Sequence, residues 1–265
     1  MGKFWAIVFL LVPILGVASF ALAPAFNLWL PRDVSAHGHA IDHLFYFILG
    51  LTGICFVVTE VALFLFLWRY DGHTSRQPVK FTHGSHSLEV VWTILPAATL
   101  LFIAIYQMNA WADSKMRKPA MAPTVEVTGR QFEWRLRYPG KNGVLGDTDD
   151  VFAVNDLHLP IDEEILIDLK SMDVLHSFFL PNLRVKQDAV PGMKVPVWFR
   201  ATDVGRYDLV CAELCGWGHY KMKGRLTIEP RQKFEEWLDQ KYREQEATAD
   251  PQASAAAGEE QEGSE

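Results

Sequence analysis

The segment CAELCGWGHYKM places Cys211, Cys215, His219 and Met222 at successive spacings of four, four and three residues, and His176 stands upstream in DVLHSFFLP. The chain has three cysteines, and the third, Cys55, lies in an apolar run far from the other two. Thiolate, imidazole and thioether are the donors that select copper. One Cys, two His and a weak axial Met make a mononuclear blue-copper site. With two cysteines the economical reading is two metal ions bridged by both thiolates, with one imidazole on each. A Cys211–Cys215 disulfide, which an oxidising compartment allows, leaves both histidines and Met222 unexplained. A tetrahedral zinc site on two Cys and two His leaves Met222 without a role.

Such donors need a scaffold that brings them together. Over residues 120–230 the chain reads as short β-rich runs, TVEVTG, FEWRLRY, VFAVNDLHLP, EILIDLKS, VLHSFFLP, VPVWFRA, YDLVCA and GRLTIEP. Their spacing and their Pro, Gly and Asn/Asp punctuation predict a sandwich or Greek-key barrel. The ligand run is then a loop between two strands, and His176 joins it from another loop at the same end. Residues 231–243 follow as a short amphipathic helix that packs Phe234, Trp237 and Leu238 on the barrel.

Three long apolar segments precede this domain. Phe4 to Leu30 carries no charge and follows Lys3, so residues 1–30 read as a signal peptide or an extra transmembrane helix. Leu44 to Trp68 is interrupted only by Glu60, and Val90 to Trp111 is uncharged and contains Pro96. Together, over residues 41–111, they predict a transmembrane helical hairpin. A carboxylate inside hydrocarbon is costly, so Glu60 should face protein. The connecting loop holds Arg69, Arg76 and Lys80, which the positive-inside rule places in the cytoplasm, with everything after Trp111 outside. Lys3 supports that orientation; Lys115, Arg117 and Lys118 oppose it.

The formal net charge is -7. Seven acids and no Lys or Arg fall in residues 244–265, so the rest of the chain balances and any charged docking surface is a local patch. No basic excess points to nucleic acid. The tail has no apolar periodicity and is expected to be disordered. His37 and His39, and His73, His83 and His86, are read as solvated loop residues.

At the ligand run and the upstream D-V-L-H-S the sequence resembles subunit II of the haem-copper cytochrome c oxidases, in its binuclear copper A domain. The resemblance extends to EVVWTILPA (89–97), LRVKQDAVPG (183–192) and QFEW (131–134), covering roughly residues 40–240. It implies an α+β membrane protein, with N-terminal transmembrane helices followed by a cupredoxin-like Greek-key β-barrel. It implies that Cys211 and Cys215 bridge two coppers, that His176, His219 and Met222 are further ligands, and that Glu213 gives its carbonyl. The Glu213 carboxylate would serve a magnesium or manganese ion shared with subunit I. Glu89 aligns with the acid at a proton-path entrance, where it is also a helix N-terminal acid.

The resemblance further implies an electron-entry subunit that accepts electrons from cytochrome c and passes them to subunit I, with subunit III as a further partner. The chain itself would carry electron transfer and not O2 chemistry, in a bacterial-type plasma membrane with the copper domain on the periplasmic side. Asp173 is expected either to orient the site or to join a docking patch with Asp147, Asp149 and Asp150; the alternative is ordinary solvated acids. The chain departs from the family at Phe132, where a Trp usually marks electron entry, so Phe132 and Trp134 are the candidate entry aromatics and the donor is cytochrome c or another small carrier. No C-x-x-C-H is present, so no c-type haem is fused to the chain. Two other readings stand beside this one, a copper A subunit of a nitric oxide reductase and a membrane-anchored copper-delivery protein.

Overall fold

The computed structural model describes residues 2–70, 81 and 83–249. Residues 71–80 lie outside them, with His73 and with Arg76 and Lys80 of the orientation expectation, as do residues 250–265 of the tail. The chain divides into two compact units, one of residues up to Pro31 together with Ala40–Asn109, the other of Arg32–His39 together with the chain from Ala110 onward.

The first unit is built from α1 (Gly2–Leu22), continued by a 3-10 turn at Ala23–Phe26, α2 (Gly38–Arg69) and α3 (His86–Tyr106). Lys3–Phe26, Gly38–Arg69 and His86–Tyr106 are long and apolar enough to cross a membrane. At 1.5 Å per residue the shortest of them reaches about 30 Å, the thickness of a hydrocarbon core. Their apolar residues run round the whole helix, and Ile54, Leu95 and Leu100 are exposed, which water would penalise and lipid does not. The hydroxyls of Thr52, Thr59, Thr93 and Thr99 donate to carbonyls four residues back, so these four hydroxyls do not face hydrocarbon unpaired. Glu60 turns its Oε2 into the protein, where that atom is buried with no hydrogen-bond partner among the described residues. The third apolar run was expected to continue to Trp111; α3 ends at Tyr106 instead. Gln107 caps it, and a separate short helix, α4 (Met108–Lys115), follows.

The second unit is a sandwich of two five-stranded sheets. The strands are β1 (Val125–Arg130), β2 (Glu133–Tyr138), β3 (Val151–Val154), β4 (Asp156–Pro160), β5 (Glu164–Ser171), β6 (His176–Leu180), β7 (Val185–Ala189), β8 (Val195–Arg200), β9 (Gly205–Cys211) and β10 (Lys223–Glu229). One sheet has the order β3-β2-β1-β5-β8 and the other β4-β10-β9-β6-β7. The pairs β1–β5 and β4–β10 are parallel and the rest antiparallel. Alternation along β1 and β2 buries Val125, Val127, Trp134, Leu136 and Tyr138, which meet Phe178, Leu209 and Leu226 of the other sheet in one core.

Three features depart from the sequence reading. VFAVNDLHLP is two strands in different sheets, because Asn155 adopts a left-handed φ of 55° and bends the chain between them. Both the N–H and the side-chain carbonyl of Asn155 bond to the backbone of Trp134, which fixes the corner. The polar run VKQDA, which is not among the β-rich runs read from the sequence, is the edge strand β7, paired with β6. Arg32–His39 belongs to the sandwich: Val34 is fully buried and its backbone pairs with Asn182 and Thr202.

The last helix, α5 (Arg231–Ala249), runs six residues past the expected end at 243, so residues 244–249 of the expected tail are helical. Gln245 holds that extension by donating to Asp150 O and accepting from Phe152 N. Nearer its start, α5 packs Trp237 flat on His158, ring centroids 4.0 Å apart, and edge-on against Tyr138.

Candidate metal centre

Three connections at one end of the sandwich converge. The β1–β2 turn carries Gln131 and Phe132, the β5–β6 turn carries Asp173 and delivers His176 as the first residue of β6, and the β9–β10 loop runs from Cys211 to Met222. Register places Cys211 beside Phe178, two residues along β6 from His176. The loop closes on itself because Cys211 N–H donates to Met222 O.

The donors sit within a few ångströms of one another. The Sγ atoms of Cys211 and Cys215 are 3.8 Å apart, and both cysteines are free. Nδ1 of His176 is 4.0 Å from Cys211 Sγ, and Nδ1 of His219 is 3.6 Å from Cys215 Sγ. Met222 Sδ is 3.8 Å from Cys215 Sγ, and the carbonyl of Glu213 is 3.3 Å from Cys211 Sγ. His176 and Met222 are fully buried, and Cys211 and Cys215 nearly so. All six ligand residues expected from sequence are thus brought together, with one imidazole and one further donor for each thiol.

Their surroundings hold the imidazole of His176 in place. Its Nε2 is 2.8 Å from Asp173 Oδ1, which leaves Nδ1 turned toward Cys211. The other oxygen of Asp173 accepts the Gln131 N–H at 2.8 Å. One face of the ring lies on Gly129, where a Cβ would come within 2.9 Å of Cδ2, and the edge of Trp134 packs on it at 6.0 Å.

The charges follow from these contacts. Burial pushes the Cys211 thiol up, but the imidazole of His176 and the backbone at Glu213 and Ser177 outweigh it and hold the thiol at about 6. Burial, then the repulsion of Cys211, pushes Cys215 up to about 11. Burial lowers His176, and the Cys211 and Asp173 contacts more than reverse it, so that imidazole is raised. Burial raises Asp173, and its bonds from Gln131, His176 and Val174 hold it below the usual carboxylate range.

The structure corrects two sequence expectations. Trp134 is fully buried between His176 and Phe178, so a docked partner cannot touch it. Its place at an inward position of β2 follows from strand alternation. Asp150 is likewise buried and paired with Arg137, so it contributes nothing to an open acidic docking patch. Phe132 lies half-buried under the ligand loop, against Gly216 and Gly218. The aromatic that sequence reasoning missed is Trp217, 80% exposed and edge-on to Phe132 at 5.3 Å. The quoted ligand run contained it, but no spacing rule distinguishes an outward from an inward loop aromatic. Glu89 lies in the first turn of α3, about half exposed.

Apolar spanning helices followed by a β-sandwich with a buried cluster of soft donors define a membrane-anchored, cupredoxin-like metal protein. Residues 124–228 match the family described as cytochrome C oxidase subunit II, periplasmic domain, and residues 23–110 match its transmembrane domain. The chain is 31% identical to the alternative cytochrome c oxidase subunit 2 of Bradyrhizobium diazoefficiens, over 89% of this chain and 91% of that one. It is 28% identical to cytochrome c oxidase subunit 2 of Thermostichus vulcanus, over 80% and 78% of the two chains. Among solved structures it is similar to the periplasmic domain of subunit II of a cytochrome oxidase from Bradyrhizobium japonicum, at 27% identity and a TM-score of 0.43, covering 48% of this chain and 97% of that one. The chain belongs to the cytochrome c oxidase subunit II family.

Proposed function

We propose that this chain is the electron-entry subunit of a respiratory haem-copper oxidase, taking electrons from cytochrome c at a binuclear copper A centre and passing them to subunit I for O2 reduction coupled to proton pumping. The observation that carries the proposal is the pair of buried thiols 3.8 Å apart with Nδ1 of His176 and Nδ1 of His219 on opposite members of the pair. Two thiolates, two imidazoles, a thioether and a carbonyl supply the mixed soft and borderline donors that copper prefers.

Cys211, Cys215, His176, His219 and Met222, with the Glu213 carbonyl, would hold the copper. Bound copper supplies one-electron redox chemistry. The protein's part is to hold the donors still: Asp173 and Trp134 fix His176, and Gln131 Nε2 donates to Cys215 O at 2.5 Å. A site whose ligands are pinned by a packed core changes shape little between redox states, which suits a relay. The Glu213 carboxylate would share a magnesium or manganese ion with subunit I, and Glu89 would stand at a proton-path entrance. Subunit III would be a further partner, and the copper domain would lie on the periplasmic side of a bacterial plasma membrane.

The test is copper content and electron paramagnetic resonance on the full chain in detergent, for the wild type and Cys215→Ser. Two coppers sharing one unpaired electron, with the shared signal lost in Cys215→Ser, are expected. One copper per chain in the wild type overturns the proposal.

A further inference from the structure

Trp217 stands in the middle of the ligand loop, two residues from Cys215 on one side and two from His219 on the other. The metal-facing cysteine is 4% exposed, whereas Trp217 is 80% exposed. Leu214 and Tyr220 of the same loop are also open, at 77% and 66%. Water-exposed indole adds nothing to the core, and large apolar side chains gathered on one loop mark a contact surface. Trp is also the residue type most enriched among those that dominate binding energy.

The ring is held in place. It meets Phe132 edge-on at 5.3 Å, and the ammonium of Lys221 lies 5.8 Å from its centroid and 5.5 Å from that of Tyr220. Phe132 in turn rests on the loop backbone between the ligands, where a Cβ on Gly218 would fall within 2.4 Å of its ring. A continuous packed path therefore leads from solvent through Trp217 and Phe132 to the backbone that carries Cys215 and His219. No comparable path starts at Trp134, which is sealed in the core.

We propose that Trp217 is the anchor on which a small soluble cytochrome docks, by apolar contact with the rim of the cytochrome's exposed haem edge; this rests on the electron-entry reading above. The occupant follows from the placement. A platform of exposed rings directly over a redox centre serves a partner whose own redox group must come close, and a flat haem edge is the apolar surface such a ring covers. The indole acts here by binding and positioning.

The test uses the full copper-loaded chain in detergent with a soluble monohaem cytochrome c in its oxidised form, comparing wild type, Trp217→Ala and Trp217→Phe by calorimetric titration. Trp217→Ala should weaken the Kd roughly tenfold or more, and Trp217→Phe should keep it within about threefold, as for other aromatic anchors. Both variants should retain the wild-type copper resonance. An unchanged Kd in Trp217→Ala overturns the anchor and leaves the electron-entry reading intact. So does a wild type that has the binuclear signal yet binds only a small copper protein. Loss of the copper resonance in Trp217→Ala overturns it too, by making Trp217 a structural residue. A wild type without the binuclear signal overturns the electron-entry reading itself, and the anchor with it.

Discussion

Asp173 Oδ1 lies 2.8 Å from Nε2 of His176, while Oδ2 of the same carboxylate accepts the backbone N–H of Gln131. One side chain thus ties the β5–β6 turn, the β1–β2 turn and a ligand imidazole together. Carboxylates that orient a metal-bound histidine are typically worth about 10–100-fold in affinity. Asp173→Ala should weaken copper binding by that order, read by competition with a chelator of known affinity. Asp173→Asn, whose carbonyl still accepts from His176, should lose less.

Gly129 is the floor under His176. An alanine Cβ there would approach Cδ2 to 2.9 Å, and the imidazole has no room to retreat because Trp134 packs on it. Overpacking of this kind costs about 1–3 kcal/mol. Gly129→Ala should lower Tm accordingly and alter the copper resonance, whereas alanine at Gly143, where the φ of 72° strains the backbone but a Cβ meets nothing within 4 Å, should leave the resonance unchanged.

The two thiols differ in charge before metal arrives. With Cys211 held at about 6 and Cys215 pushed up to about 11, the copper-free site at neutral pH is one thiolate and one thiol. Filling the site with two thiolates releases a proton from Cys215, so copper uptake should strengthen as pH rises between those values. The linkage signs are opposite. The depressed thiol of Cys211 adds stability that is present above its ordinary value and lost as pH falls through about 6; the raised thiol of Cys215 adds stability that is lost as pH rises through about 11. Ultraviolet thiolate absorbance of the copper-free Cys55→Ser chain should show two separated steps, and one shared step near the ordinary thiol value would refute the asymmetry.

At the far end of β2 from the metal donors, Trp237 stacks on His158 with planes 5° apart, and His158 Nδ1 lies 2.7 Å from Glu229. Replacing a large aromatic with alanine costs about 3–5 kcal/mol when it is fully buried. Trp237 is partly buried, so Trp237→Ala should cost about 2 kcal/mol, somewhat less than that range. Thermal unfolding should register the loss while the copper resonance stays that of the wild type.

The sequence by itself located the candidate donor run, because Cys211, Cys215, His219 and Met222 are close along the chain and are of the types that favour copper. It determined the spanning segments as well, since a run of apolar residues longer than the hydrocarbon is thick needs no tertiary context to be read. Strand alternation located most of the sandwich. Only the tertiary structure decided that Asn155 sends one apparent strand into two sheets, that the polar VKQDA pairs as an edge, and that Val34 belongs to the sandwich core. It alone decided that Trp134 supports His176 from inside while Trp217 faces out. The physical reason is common to all of these: local sequence sets which side chains are apolar or ligating, whereas pairing, burial and exposure depend on what distant segments supply once the chain has closed on itself.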